Sequence, residues 1–447
     1  MSGINYYDVT EWKTGNPYED IGEVINSILA DVKARQTQTD ADGFGKPGAV
    51  IYIPSGDYRL RTQVLIDISY LRIEGSGHGF VSSSIRFNTP ETEWKNLHEL
   101  WPGGSRVMVE LEVPDNAPEE EGAAFLVKRE GEPRISSVEF VNFCIDGLHF
   151  EDRSTGTKDP ENTYLNGKTG IYVASKQDSF RVAGMGLIYL EHGLTVCLGD
   201  AISVHDNFIA ECGNCIELRG PGQAGKVTDN LIGAGYRGYS IYISEMAGML
   251  ITANNVFPRG SSSIHFSGVV RSCVTSNRFH SFYPGMLRLE NHCTENLVAS
   301  NHFLRDAEPW PPMKRYDNGL EDDFGLLCVN GDNNTISANH ISETIDRSLL
   351  KPLGVKPVVI RVTAGTGNYI YGNHIVATTT EADHLKEETE NCFEAQVGAL
   401  LTTNHLTKLE TVEVVIDSPA QGNTVLDTVH EGQFEADSRM NVIRVLP

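Results

Sequence analysis

VHDNFI (204–209), VTDNLI (227–232), ITANNVF (251–257), VTSNRF (274–279), VASNHF (298–303), ISANHI (336–341) and IYGNHI (370–375) are versions of one phrase. Taken at Asn207, Asn230, Asn255, Asn277, Asn301, Asn339 and Asn373, they are spaced 23, 25, 22, 24, 38 and 34 residues apart. A small or polar residue, an asparagine and an apolar pair, returning with a period in the low twenties, mark a solenoid. Asparagine suits a bend because its amide satisfies backbone groups, and amides on successive coils can pair in a ladder. β-branched residues crowd before each Asn and no helix-length periodicity intervenes, so each repeat reads as short strands and turns. Strands that recur once per coil stack in parallel about 4.8 Å apart. The fold class is therefore all-β, a parallel β-helix.

A solenoid grows in one dimension, so all 447 residues can form a single β-helix domain. Three stretches are expected within it: an N-terminal cap over 1–46, coils over 47–380, and a C-terminal cap or arm over 381–447. DIGEVINSILADVKARQ (20–36) sets Ile21, Val24, Ile25, Ile28, Leu29 and Val32 on one stripe behind Asp20 as N-cap. Such a helix can cover the apolar cross-section of the first coil. The two long spacings imply Pro-bearing, polar insertions near 305–323 and 346–357, loops of the kind that often form a binding face in repeat proteins.

Lys plus Arg number 36 and Asp plus Glu 60, a formal charge of −24. That field repels nucleic acid, anionic membranes and polyanionic sugars and favours a neutral or cationic ligand. The start has no basic and apolar leader, and no apolar run is long enough to span a bilayer. A cytoplasmic protein is expected, with secretion the alternative if a leader has been removed. The eight cysteines show no disulfide framework and read as buried free thiols. Cys212-Gly-Asn-Cys215 has no second ligand pair and no βαβ context, so it is not read as a metal or redox site. No metal or cofactor is expected.

Chemistry must then come from side chains on the outside of the coil. With Asn207 inward as a ladder residue, alternation turns Asp206 outward, and with Ile216 and Leu218 inward, Glu217 faces out. Aligning IEL (216–218), IYI (241–243), IHF (264–266) and LRL (287–289) gives an outward column of Glu217, Tyr242, His265 and Arg288. A mixed solvent face is the plainer reading of such a column, although Thr, Ser and Lys would be commoner there. Arg259 in FPRG and Tyr283 in FYPG sit at the rim of the same coils. Two carboxylates are the minimal kit for breaking a glycosidic bond. Asp206 and Glu217 form the best pair, but they lie half a coil apart, and Asp229 competes with Asp206 on pattern alone.

AECGNCIEL (210–218), NGKTGIYVAS (166–175), GMGLIYLEHGL (184–194), NNVFPRG (254–260), SFYPGML (281–287) and DNGLEDDFG (317–325) resemble the inulin fructotransferases and difructose anhydride III hydrolases, glycoside hydrolase family 91. The similarity runs from YDVTEW almost to the C-terminus. It implies a right-handed parallel β-helix and a homotrimer with its active site between subunits, and it sets the family's catalytic Asp and Glu on Asp206 and Glu217. The implied reaction is hydrolysis of difructose anhydride III to inulobiose. Inulin fructotransferase activity, releasing the anhydride from inulin, is the first alternative. A non-catalytic trimeric sugar-binding β-helix and a pectin-degrading one, suggested only by Gly77-His78-Gly79, come after it. Tyr242, His265, Arg288, Arg259 and Tyr283 are the expected sugar contacts. A cation beside Glu217, which the column supplies as Arg288, would keep it ionised as base and leave Asp206 as acid.

Overall fold

The computed structural model describes residues 5–36, 48–79, 103–131, 134–148, 166–233, 238–258, 262–305, 320–346, 358–380, 407–408, 412–426, 433–435 and 442–444. Arg259, most of both expected insertions and much of 381–447 lie outside these residues. The chain forms two compact units, 1–236 and 237–447, each built of coils of a right-handed parallel β-helix. Among the described residues no helix is long and apolar enough to cross a membrane.

In the first unit each coil visits three sheets in turn. The stretch around the candidate site shows the pattern: Ser203–His205 on the first sheet, Phe208–Ala210 on the second, Asn214–Gln223 on the third. Each strand pairs in parallel with its counterpart one coil away, as Val204 does with Val182 and Val227, and Ile209 with Leu187 and Ile232. Side chains at every second position point inward and are fully buried, including Phe125, Phe140, Leu194, Ile216 and Leu218. Burying each such side chain contributes about 1.5–3 kcal/mol, so the inward rows fix the register. A one-residue slip would turn each row to solvent.

The helix Pro17–Gln36 covers the first coils with Ile21, Val24, Ile25, Ile28, Leu29 and Val32, all buried. It breaks at Asp20, whose extended backbone (φ −152°, ψ 95°) makes it the N-cap of the longer part. Asp20 Oδ1 accepts the amides of Gly22, Arg61 and Thr62 at 3.0, 3.1 and 3.2 Å, and Oδ2 accepts the Thr62 hydroxyl at 2.6 Å. The cap residue thus also ties the helix to the coil that it covers.

Within the second unit each coil likewise visits three sheets, with a third-sheet row of Tyr239–Ala247, Ser262–Ser267, Leu287–Thr294, Leu327–Asp332, Val358–Ala364 and Val412–Ile416. The asparagine ladder runs through Asn254, Asn277, Asn301, Asn339 and Asn373, each side chain bonded to the next at 2.9–3.0 Å. This corrects the register read from ITANNVF. The ladder residue is Asn254, and Asn255 begins the following strand and accepts a hydrogen bond from Arg278. A second ladder at another corner, Asn296, Asn334, Asn368 and Asn423, has no counterpart in the sequence reading. Of the stretch 381–447, the strands Val412–Ile416 and Thr424–Leu426 pair in parallel with Val358–Ala364 and Tyr369–Tyr371 as further rungs.

The residue before each ladder Asn has left-handed backbone: Asp206, Asp229, Ala253, Ser276, Ser300 and Ala338 have φ between 53° and 59°. Gly, as at Gly372 (φ 60°), and Asp adopt that conformation at least cost, and β-branched or bulky residues are disfavoured there, which accounts for their absence from this position of the repeated phrase. Asp206 is exposed because it sits on this corner, not because of strand alternation.

Candidate active site

Glu217 lies in the strand Asn214–Gln223, in register with Thr195 and, one coil further, Tyr172. Its neighbours Ile216 and Leu218 face the core, so its side chain leaves the outer face, as the alternation requires. Yet only 6% of it is exposed. The segment 110–122 crosses over this face, bringing Glu119 onto Arg219 and Thr195. Arg219 donates to Glu217 Oε1 at 2.9 Å and pairs with Glu119 Oε2 at 2.9 Å. The Thr195 hydroxyl donates to Glu119 Oε1 and lies 3.4 Å from Glu217 Oε2. His192 Nδ1 sits 2.6 Å from Glu217 Oε2 and 3.6 Å from Glu119 Oε1. Glu119, His192 and Glu217 are close enough together to share a cation, and the Arg219 guanidinium already places one there.

These contacts set the protonation states. Burial pushes the Glu217 carboxyl upward, but the His192 hydrogen bond, the His192 charge and Arg219 outweigh it, and its pKa falls below the ordinary carboxylate value. Burial pulls His192 down, whereas the bond to Glu217 and the carboxylates of Glu217, Glu119 and Glu191 lift it above an ordinary imidazole. Arg219, drawn down by burial and up by both carboxylates, is raised and stays charged. The cation expected beside Glu217 is thus Arg219, with His192 next to it.

His192 and Glu119 open onto a cleft of about 650 Å³ that is also lined by Asn116, Asn166 and Glu191. Asn166 Oδ1 accepts the Lys168 amide at 3.0 Å and Glu191 Oε2 accepts the Gly167 amide at 2.7 Å, so this polar wall is held by the backbone. Gly193 follows His192 for a steric reason: a Cβ there would lie 2.6 Å from the Cys215 carbonyl oxygen of the next coil.

Asp206 is elsewhere on the coil. It occupies the corner between the first and second sheets, its side chain 66% exposed, with Oδ2 2.6 Å from His205 Nδ1. Arg181 Nε donates to His205 Nε2 at 3.1 Å, which leaves Nδ1 to carry the proton towards Asp206. The second-sheet strand lies between this corner and the third sheet, and Asp206 and Glu217 share no partner among the described residues. Asp229 takes the same corner one coil on.

In the second unit Tyr242, His265 and Arg288 pair residue for residue on adjacent third-sheet strands, as the alignment of coils predicts. Tyr242 stacks on Tyr239 with centroids 4.8 Å apart and meets His265 edge-on at 5.3 Å. Glu290, absent from the sequence reading, joins them. Its carboxylate lies 2.9 Å from His265 Nε2 and accepts from Arg288 Nε at 2.8 Å, and these partners, chiefly His265, pull its pKa down to about 2 against a smaller effect of burial. The Arg288 guanidinium also covers the Phe324 ring at 5.4 Å. Tyr283 is buried before the strand Leu287–Thr294. Cys212 and Cys215 are both buried, and the Cys215 thiol is pushed well up by its bond with Cys212 and by burial, the reverse of what a nucleophile or metal ligand needs.

A parallel β-helix with carboxylates beside a polar cleft has the acid–base equipment of the class of enzymes that cleave glycosidic bonds. Within that class, 380 residues, 84% of this chain and 90% of the relative, are 42% identical to the inulin fructotransferase [DFA-I-forming] of Arthrobacter globiformis. Crystal structures of DFA-IIIase from Arthrobacter chlorophenolicus A6 match over 100% of both chains at 61% identity and TM-score 0.90, among them a cysteine-to-alanine mutant alone and in complex with DFA-III. The same enzyme has been solved with GF2, again at 61% identity and TM-score 0.90 over 100% of both chains. The family model "Beta helix repeat of Inulin fructotransferase" matches residues 300–447, and that of the periplasmic copper-binding protein NosD matches 134–309. The chain belongs to the family of inulin fructotransferases and DFA-IIIases.

Proposed function

We propose that this chain hydrolyses difructose anhydride III to inulobiose, using Asp206 and Glu217 from neighbouring subunits of a homotrimer. The observation that carries the hydrolase reading is the 61% identity, over the full length of both chains, to DFA-IIIase structures. The DFA-I-forming transferase is more distant, at 42% over 84% of the chain. The −24 charge suits a neutral disaccharide anhydride. The interface reading is supported by the separation of Asp206 and Glu217 within one chain, each ready with its own partners.

In the reaction a water oxygen bonds to an anomeric carbon and the bridging carbon–oxygen bond breaks. Its electron pair stays on the departing oxygen, which takes a proton from the acid while the water's proton goes to the base. The lowered pKa of Glu217 suits the basic side and leaves Asp206 as acid. Tyr242, His265 and Arg288 supply aromatic and hydrogen-bonding groups suited to fructosyl hydroxyls.

Chromatography of products from difructose anhydride III and from inulin tests the activity. Inulobiose from the anhydride, with inulin untouched, is expected. Difructose anhydride released from inulin would establish the transferase instead. Sedimentation of the active enzyme tests the trimer, and a fully active monomer would overturn it.

A further inference from the structure

The last three versions of the repeated phrase share a residue that the earlier ones lack. VASNHF, ISANHI and IYGNHI each place a histidine directly after the ladder asparagine. His302, His340 and His374 open the second-sheet strands His302–Arg305, His340–Asp346 and His374–Thr380 and pair residue for residue on adjacent coils. Their rings form one outward column, with centroids 5.0 Å apart between His302 and His340 and 4.8 Å between His340 and His374. His302 is half-buried, and His340 and His374 are exposed. Between the last two, Nδ1 faces Nδ1 at 3.0 Å. None of the three is ion-paired among the described residues, and the candidate active site uses none of them.

We propose that His340 and His374 hold a divalent transition-metal ion of the copper(II) or nickel(II) class between their Nδ1 atoms, with water in the remaining positions. Neutral imidazole nitrogens suit such ions. Two metal–nitrogen bonds of about 2.1 Å, meeting at the right angle of a tetragonal site, set their nitrogens about 3.0 Å apart, whereas a tetrahedral ion asks for about 3.3 Å. The first of these matches the observed pair. The scaffold fixes that separation. The His340 and His374 amides donate to the Asn301 and Asn339 carbonyls at 2.9 and 2.8 Å, and the Asn339 side chain bonds that of Asn373 at 2.9 Å. A site already set in its bound geometry loses little freedom on binding.

The electrostatics favour a cation here. The net charge of −24 draws cations to the surface. The column continues from the pair through His302 to Arg278, which pairs with His302 on the side away from His340 and donates to Asn255 Oδ1 at 3.2 Å, towards the coil before it. Burial first, then His340, Arg278 and His280, holds His302 below an ordinary imidazole, so it adds no charge beside the pair near neutral pH. An ion at this point ties the coil of His340 to that of His374, in the stretch where the repeat lengthens to 38 and 34 residues. Because the two nitrogens meet only in the folded coil, the ion stabilises the fold by mass action. The inference is independent of which sugar the chain processes.

The experiment titrates untagged, chelator-stripped protein with Ni²⁺ by calorimetry near neutral pH, nickel being chosen because it leaves the thiols unoxidised. Wild type is compared with His340→Ala, His374→Ala and His292→Ala, an exposed histidine off the column serving as control. Expected is a saturable Ni²⁺ site in wild type and control. Losing an outer-shell partner alone costs about 10–100-fold in metal affinity, so losing a ligand in either column variant should cost at least about tenfold. The urea midpoint of the wild type should rise with Ni²⁺ concentration. Ni²⁺ should also shield His340 and His374 of the wild type from diethyl pyrocarbonate, mapped by mass spectrometry, and this readout decides if a variant does not fold. No saturable binding at millimolar Ni²⁺, wild-type affinity in either column variant, or no shielding of the pair overturns the inference. None of these outcomes bears on the hydrolase reading, which the product assay tests separately.

Discussion

Replacing Arg219 by Gln probes the charge arrangement on which the site depends. Arg219 pairs with Glu217 and Glu119 at 2.9 Å each, and its own side chain is 33% exposed against 6% for Glu217. Breaking a fully buried pair costs about 3–5 kcal/mol and an exposed one about 0–1, so this half-buried bridge should cost about 2 kcal/mol near neutral pH. The pH dependence has a definite sign. The folded-state pKa of Glu217 is depressed, so its contribution is present above the unfolded carboxyl value and is lost as pH falls through the folded one. In the variant Glu217 and Glu119 keep only His192 as a neighbouring cation, and protonation of a carboxyl relieves the repulsion that Arg219 no longer offsets. The difference between variant and wild type should therefore be largest near neutrality and shrink below 4.5. Urea midpoints at fixed protein concentration, taken near neutrality and near about pH 4, measure it. A deficit under about 0.5 kcal/mol, or one independent of pH, would refute the reasoning.

Other outcomes follow from the same geometry. Asn277→Ala should cost about 2–4 kcal/mol in chemical denaturation, because it orphans Ile251 O, the Asn254 amide and a ladder partner together, whereas Asn255→Ala should cost less than about 1. Asp206→Asn should lower turnover of difructose anhydride III by at least about a hundredfold and Asp229→Asn by far less, as steady-state rates will show. Arg288→Ala should weaken sugar binding by about 1.5–3 kcal/mol in calorimetry, the range for hydrogen bonds to a charged group, and no change would make Arg288 a structural partner of Glu290 alone.

The repeat made the coil legible because a buried ladder amide and an alternating strand leave residue-type signatures at fixed spacing. Asp20 as cap, the inward rows and the pairing of Tyr242, His265 and Arg288 all follow from such local rules. ITANNVF misled because two consecutive asparagines satisfy the phrase equally, and only the amide bonds of Asn277 choose Asn254. The second ladder was hidden by uneven spacing and unlike neighbours, as ENLVA around Asn296 and GNYIY around Asn368 show. Alternation tells which side chains leave the coil, but not what covers them. Glu119 comes from a segment with no repeat signature, and His192 lay inside GMGLIYLEHGL, where only its bond to Glu217 marks it out. Glu290, two residues beyond Arg288, could have been found by asking what neutralises an outward arginine on a half-buried face.

The claim that Asp206 and Glu217 act together from different subunits is tested most directly by mixing. Asp206→Asn and Glu217→Gln enzymes are unfolded together, refolded as mixed oligomers and assayed on difructose anhydride III, with each variant refolded alone as control. In a closed trimer with sites between subunits, random mixing of equal parts makes about a quarter of the sites wild type at both positions, so about a quarter of wild-type turnover should return. Activity no higher than that of the separate variants would place both carboxylates in one chain's site and contradict the account.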